Sequence, residues 1–393
     1  MKIPQYVIKA MNSLNHAGYE CYLVGGCVRD TLMGNEPHDY DLTTSALPEQ
    51  MLTVFNGCKI IETGLKHGTI TLLTDGGPIE ITTFRIDGEY KDNRRPENVI
   101  FTPKLSEDLA RRDFTVNAIA MDKEGNLVDL YGGENDIRSK IIRCVGDPEK
   151  RFNEDGLRIL RALRFASTLN FEIHPDTEKA IFKLTYLLKN ISAERVREEL
   201  FKLLCGVSAK AVLINYADVI LPFLQPISRE DLVQFAEIAE KLPLSAEIRM
   251  AALFALYSNT TKLKSAMQAL KPSNKQIKSA ENCCDIIQLP PTSPTQTALL
   301  IGQLGEKEFN LYLQTAKACG KDISATLQTV DDLKSRNACY NLHQLALTGA
   351  DLIELGVKGK KVGDMLQTLF TAVAEGKVKN EKYQLLNYIK NQT

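Results

Sequence analysis

The stretch Leu23-Val24-Gly25-Gly26-Cys27-Val28-Arg29-Asp30 is followed, nine residues on, by Asp39-Tyr40-Asp41. It joins a Gly-Gly turn and an arginine to two carboxylates placed one residue apart. Side chains alternate faces along a β-strand, so on a strand Asp39 and Asp41 point the same way and Tyr40 the other. Two hard oxygen ligands beside a glycine loop, whose N–H groups can face phosphate, suit a nucleoside triphosphate carried on magnesium. That chemistry is phosphoryl transfer. An Asp-x-Asp standing alone is equally the pattern of a solvated strand end, so the flanking sequence has to decide.

Gly25 and Gly26 let the backbone come close to a polyphosphate, and Arg29 offers a fork of donors to a terminal phosphate. No Gly-x-x-x-x-Gly-Lys-Ser/Thr occurs, which excludes the P-loop solution. Glu80, alternating with apolar neighbours in Ile79-Glu80-Ile81-Thr82, is a candidate third carboxylate that takes the proton from an attacking hydroxyl. A solvated strand glutamate fits the same pattern. His38-Asp39 raises the His-Asp metal phosphohydrolases, but His16, His67, His174 and His343 are dispersed and supply no converging ligand set.

Two further clusters combine arginine with acid. Arg111-Arg112-Asp113-Phe114-Thr115-Val116-Asn117-Ala118 can hold a triphosphate or can present two solvated arginines. In Arg151-Phe152-Asn153-Glu154-Asp155-Gly156-Leu157-Arg158, continuing to Ala166, the spacing predicts a helix over Glu154–Ala166. Ile159, Leu160, Leu163 and Ala166 fall on one arc of it, and Arg158, Arg161 and Arg164 on the opposite one. That arginine face reads either as a surface ion network or as a nucleotide reader. In the second reading Asp155 and Arg158, at i and i+3, set an acceptor edge beside a donor edge. Cytosine and adenine present an amino donor beside a ring acceptor, whereas guanine and uracil reverse the order. Such a pair accepts C and A and rejects G and U without a template strand, with Glu154 orienting the guanidinium of Arg158.

The 393 residues suggest two to four domains at about 100–200 residues each. Lys plus Arg number 48 against 49 Asp plus Glu, so any nucleic-acid contact must come from a local basic surface. No long apolar run spans a membrane, Met1–Ala10 lacks the marks of a signal peptide, and nine cysteines without metal spacing read as reduced thiols in a cytoplasmic protein. A helix is expected over Tyr6–Ala17, closed by Gly18, then strands at Cys21–Val24, Tyr40–Thr43, Thr69–Leu73, Ile79–Phe84 and Ala118–Met121. Asp75-Gly76-Gly77 and Glu124-Gly125-Asn126 read as hairpin turns. After about Arg151 the apolar spacing turns helical and strand signals vanish, with a linker at Leu289-Pro290-Pro291-Thr292-Ser293-Pro294. In Gly356-Val357-Lys358-Gly359-Lys360-Lys361-Val362-Gly363, before a helix expected over Asp364–Glu375, the pattern fits either a phosphate grip or a solvated lysine turn.

Taken in order, these motifs, with Glu194-Arg195-Val196-x-Glu198-Glu199-Leu200, resemble the class II tRNA nucleotidyltransferases, the CCA-adding enzymes of bacteria and eukaryotes, and the related bacterial poly(A) polymerases. The resemblance covers roughly the first half of the chain. It implies an α+β fold, with an N-terminal polymerase-β-like nucleotidyltransferase head (a small mixed sheet with helices) followed by an all-α neck, body and tail. The corresponding boundaries are 1–137, 138–205, 206–290 and 291–393. It implies that Asp39 and Asp41 hold magnesium, that Gly26, Arg29 and Arg112 join Gly25 at the triphosphate, and that Asp155 and Arg158 read the base. Arg161 and Arg164 would then lie at the phosphates or sugar. The substrates implied are CTP, ATP and the 3′ end of tRNA, gripped at its acceptor and T arm by the tail. The polar segment Arg85–Pro96 resembles the loop that family members use to switch from C to A, and the chain lacks a markedly basic C-terminal extension, so complete C-C-A synthesis is favoured. A CC-adding or A-adding specialist, a poly(A) polymerase and an inactive RNA-binding relative are the alternatives.

Overall fold

The computed structural model describes residues 3–87 and 99–390. These fall into two compact units, residues 1–220 and 221–393. The expected loop reaches into residues 88–96, which lie outside the described residues.

The first unit opens with α1 (Gln5–His16), whose Val7, Ala10, Met11 and Leu14 recur at helical spacing and are all buried. Gly18, at φ +88°, turns the chain into the sheet. The strands are β1 (Cys21–Val24), β2 (Tyr40–Thr44), β3 (Lys59–Ile61), β4 (Thr69–Thr74), β5 (Gly77–Thr83), β6 (Arg85–Asp87), β7 (Val99–Phe101), β8 (Ile119–Met121) and β9 (Leu127–Asp129). Seven of them make one mixed sheet in the order β3-β4-β5-β2-β1-β8-β9, while β6 and β7 pair separately. Both predicted hairpins form, β4 with β5 and β8 with β9. The helices α2 (Gly26–Leu32), α3 (Pro48–Val54), α4 (Leu105–Ala110) and α5 (Gly133–Ser139) complete this part. Leu105 and Leu109 of α4 pack with Val24, Phe84 and Ala120 in a buried cluster. The only parallel pairing in the large sheet, β2 with β5, is the one that matters for chemistry.

Helices then take over: α6 (Pro148–Glu154), α7 (Leu157–Leu169), α8 (Pro175–Leu184), α9 (Ala193–Leu204), α10 (Ala209–Asn215) and α11 (Ala217–Ile220). One exception to the expected loss of strands is a short parallel pair, β10 (Ile141–Ile142) with β11 (Glu172–Ile173). On α7 the arc of Ile159, Leu160, Leu163 and Ala166 is buried, as its periodicity requires.

The second unit is wholly helical among the described residues: α12 (Arg229–Ala239), α13 (Ala246–Tyr257), α14 (Thr260–Leu270), α15 (Asn274–Gln288), α16 (Pro294–Leu304), α17 (Glu306–Ala318), α18 (Ser324–Ser335), α19 (Gly349–Glu354), α20 (Lys360–Ala374) and α21 (Lys382–Lys390). The proline-rich linker joins α15 to α16. Gly302 of α16 lies against Phe370 of α20, where a Cβ would come within 2.3 Å of the ring, so only glycine lets these helices approach. No helix among the described residues is long and apolar enough to cross a membrane.

Candidate active site

The strand β2 begins at Tyr40, so Asp39 sits in the bend just before it rather than on the strand. Asp41 does lie on β2, and the parallel register pairs it with Glu80 of β5. Paired residues of adjacent strands project from the same face, so the register brings together two carboxylates that are 39 positions apart in sequence. Asp39 and Glu80 are exposed and Asp41 is half-buried. Burial, reinforced by the charges of Asp39 and Glu80, pushes the Asp41 carboxyl up to about 6 against the opposing pull of Arg112. Among the described residues no three His, Cys, Asp or Glu side chains close into a self-contained metal cage. Mutually repelling carboxylates fit a hard divalent cation whose other ligands arrive with the substrate.

Beside these acids runs the glycine loop. Gly25 adopts φ 74° and ψ −133°, a conformation that side-chain-bearing residues rarely enter. A Cβ on Gly25 would sit 3.4 Å from Nη1 of Arg112, and one on Gly26 would sit 3.6 Å from Nη2 of Arg29. The loop therefore brings both predicted phosphate-binding arginines against bare backbone. Arg29 is buried and aimed by two partners: its Nε donates to Asp30 at 2.9 Å and its Nη1 to Asn117 Oδ1 at 2.8 Å.

Arg112 is held by a residue that sequence reading passed over. Asp108, fully buried on α4, accepts from Arg112 Nη2 at 3.1 Å and from Arg111 Nη2 at 2.8 Å. It also accepts from the Arg85 backbone N–H and the Thr43 hydroxyl. Burial would raise its carboxyl, but the two guanidiniums outweigh that and hold it below the usual range. The signal was present as an acid three and four residues before an arginine pair. Among the described residues the buried Nε of Arg112 has no hydrogen-bond partner.

The neck differs from expectation. One helix over Glu154–Ala166 does not form: the chain breaks at Asp155, which is extended at φ −143° and ψ 105° between α6 and α7. Asp155 stands just before Gly156, the cap position of α7, and its Oδ1 accepts from the Leu157 N–H at 3.1 Å. Asp155 thus lies ahead of α7, where the Arg158 N–H donates to its carbonyl at 3.0 Å, and each side chain has another partner. Arg195 of α9 donates to both Asp155 oxygens, at 2.6 and 3.3 Å. Arg158, buried, donates to Glu154 at 2.6 Å, as the sequence suggested, and also to the carbonyls of Arg151 and Arg111.

Arg161 donates through Nη2 and Nε to a single Asp113 oxygen, Oδ2, at 2.7 and 2.8 Å, and Arg164 donates to Glu199 at 2.8 Å while lying 3.6 Å over the Phe165 ring. Burial would raise Asp113, but Arg161 at contact holds its carboxyl far below the ordinary value. Arg195 and Glu199 stood in the sequence only as a pattern, with no partner legible. Such contacts join residues up to 48 positions apart, Arg161 to Asp113, and local spacing cannot show them.

Similarity to known proteins fits this geometry. The model of the poly(A) polymerase head domain matches residues 21–143, and that of a probable RNA- and SrmB-binding site of polymerase A matches residues 170–225. A putative second domain of tRNA nucleotidyltransferases matches residues 242–389. Fold and site together define a nucleotidyltransferase. The CCA-adding enzyme of Lactobacillus helveticus is 36% identical over 404 residues, covering 99% of this chain and 98% of its own. That of Enterococcus faecalis is 34% identical, covering 97% of this chain and 94% of its own. The crystal structure of the Bacillus stearothermophilus CCA-adding enzyme in complex with CTP is similar over 100% of this chain and 98% of that one, with a TM-score of 0.76 at 34% identity. The chain belongs to the CCA-adding enzyme family. A Thermotoga maritima CCA-adding enzyme complexed with tRNA, 19% identical, shares the fold with a TM-score of 0.60.

Proposed function

We propose that this nucleotidyltransferase adds C, C and A in turn to the 3′ end of tRNA, consuming CTP and ATP and releasing pyrophosphate. The observation that carries the reading is the parallel register setting Asp41 beside Glu80, close to Asp39 and within the field of Arg112. Asp39 and Asp41 would hold magnesium, which would activate the terminal 3′-hydroxyl and offset charge on the leaving pyrophosphate. Glu80 accepts the proton of that hydroxyl. The 3′-oxygen forms a bond to the α-phosphorus as the bond to the bridging oxygen breaks. Gly25 and Gly26 give the triphosphate room, and Arg29 and Arg112 bind it.

Base choice falls to Asp155 and Arg158, one accepting from the amino group of C or A and the other donating to the ring nitrogen. Arg161 and Arg164 line the sugar and phosphate side, fixed there by Asp113 and Glu199. The lysines around Gly359 grip the RNA backbone. A cytoplasmic setting accords with nine cysteines that are all free thiols.

One assay tests the whole reading. Purified protein is offered tRNA ending before C-C-A and tRNA ending in C-C, with CTP, ATP or both. Completion of C-C-A is expected. Arrest after CC would make the chain a specialist, long A tails a poly(A) polymerase, and absence of product an RNA-binding relative.

A further inference from the structure

Three neck arginines fasten Ala110, Arg111 and Asp113, the residues on either side of Arg112. Arg151 Nη1 donates to the Ala110 carbonyl at 3.2 Å, Arg158 Nη2 to the Arg111 carbonyl at 3.0 Å, and Arg161 to the Asp113 carboxylate. The residue they bracket is Arg112, the arginine against the glycine loop. Glu154 links the first two, accepting from Arg151 at 2.8 Å through Oε1 and from Arg158 at 2.6 Å through Oε2. Arg151 thus touches both the backbone that leads into Arg112 and the carboxylate that holds Arg158.

Arg158 spends both Nη1 donors on Glu154 and the Arg151 carbonyl and an Nη2 donor on the Arg111 carbonyl, so turning its guanidinium edge to a base exchanges some of these bonds. When it turns to a base, Glu154 would be left as a charge with little water, its side chain only 17% exposed. An unpaired, poorly hydrated carboxylate is costly or takes up a proton. Arg151, with its side chain 11% exposed and already paired to Glu154, removes that penalty. It also keeps the Ala110 carbonyl fixed while the Arg111 carbonyl loses its donor.

We propose that Arg151 is a positioning residue: through Glu154 and the Ala110 carbonyl it holds the turn bearing Arg112 in place while Arg158 exchanges partners, coupling base recognition to the triphosphate site. The inference rests on the assignment of Arg158 as base reader. Arg151 touches no reacting atom, so its loss acts on rate and selectivity by displacing Arg112 and Arg158.

The test uses the full chain and compares Arg151→Ala, Arg151→Gln, Arg151→Lys and Arg158→Ala. Single-nucleotide addition to tRNA lacking C-C-A is measured with CTP and with UTP, and thermal melting reports folding. For Arg151→Ala and Arg151→Gln, kcat with CTP should fall on the order of 10- to 100-fold, the scale of a small misplacement of binding groups. The preference for CTP over UTP should narrow by about tenfold, roughly one bidentate contact's worth of discrimination. Arg151→Lys, which keeps the charge beside Glu154, should recover part of both. A purely structural role would lower the melting temperature and leave selectivity untouched. If Arg151→Ala, or Arg151→Gln should the alanine variant not fold, keeps wild-type selectivity, the coupling is refuted. If Arg158→Ala keeps it, the base-reading assignment itself fails, which is a separate result.

Discussion

Asp41 lies half-buried between the charges of Asp39 and Glu80, with Arg112 pulling its carboxyl the other way. Such a residue is poorly suited to stabilising the fold and well suited to a cation. Replacing Asp41 or Asp39 with alanine should leave folding intact and cut nucleotide addition by on the order of 10³-fold, the scale of losing a fixed transition-state charge partner. Wild-type turnover in either variant would remove the metal assignment. Asp108 is the opposite case, a carboxylate with no solvent exposure that neutralises two guanidiniums. Asp108→Asn keeps the shape and removes the charge, so the half-buried Arg111 and Arg112 lose the buried carboxylate they share. Breaking one partner of a buried ion pair costs about 3–5 kcal/mol. Urea unfolding should show a loss of that order, together with a raised KM for CTP as Arg112 loses its aim. An unchanged unfolding midpoint would mean that the arginines find other partners.

At the level of elements, the neck is held to the sheet domain through Asp113 and Arg161 of α7. The Asp113 carboxyl sits far below its ordinary value in the folded protein, so it contributes stability that is complete above the unfolded carboxylate pKa of about 3.9. That contribution fades as pH falls from there toward the depressed folded value. The stability difference between wild type and Asp113→Asn should therefore be flat around neutrality and shrink below about pH 4. Denaturant midpoints for both proteins across that range measure it, and a difference that grows on acidification would contradict the pairing. What the sequence disclosed at this scale follows from range. The strands at Cys21–Val24, Tyr40–Thr43 and Thr69–Leu73 carried their own apolar pattern and glycine turns, and they form within a residue of those limits. The strand Lys59–Ile61, at the edge of the sheet and largely exposed, has no apolar alternation to betray it. The break at Asp155 was hidden because helical spacing runs across it, although Asp-Gly before an apolar run is itself a capping signal. The pairing of Asp41 with Glu80 depends on a parallel register, which no local pattern encodes.

On the scale of the whole molecule, the two compact units divide the chemistry. Every residue proposed for nucleotide binding and transfer lies within residues 1–220, and the lysine-bearing turn lies within residues 221–393. The net charge of −1 gives the chain no general attraction for RNA, so the second unit needs its own basic site. The lysine-bearing turn is the proposed one. Helix α20 begins at Lys360, four residues before the expected start, with Gly359 at φ +62° in the cap position. Lys360 and Lys361 therefore stand in the first turn of a 15-residue helix, with Lys358 just ahead. Cations there oppose the helix dipole, an arrangement that costs stability unless an anion settles between them. Under the proposed function, a phosphate of the RNA backbone would meet the lysines at the start of that helix. The Lys358→Ala/Lys360→Ala/Lys361→Ala variant should consequently bind tRNA more weakly while the protein itself is as stable as wild type or slightly more so. Its affinity should also fall less steeply with added salt, the log–log slope dropping by about 0.7–0.9 for each phosphate contact removed. Filter binding or fluorescence anisotropy across a salt series, with melting curves alongside, reads both quantities. An unchanged slope would place the RNA grip elsewhere in the second unit and leave the turn a solvated one.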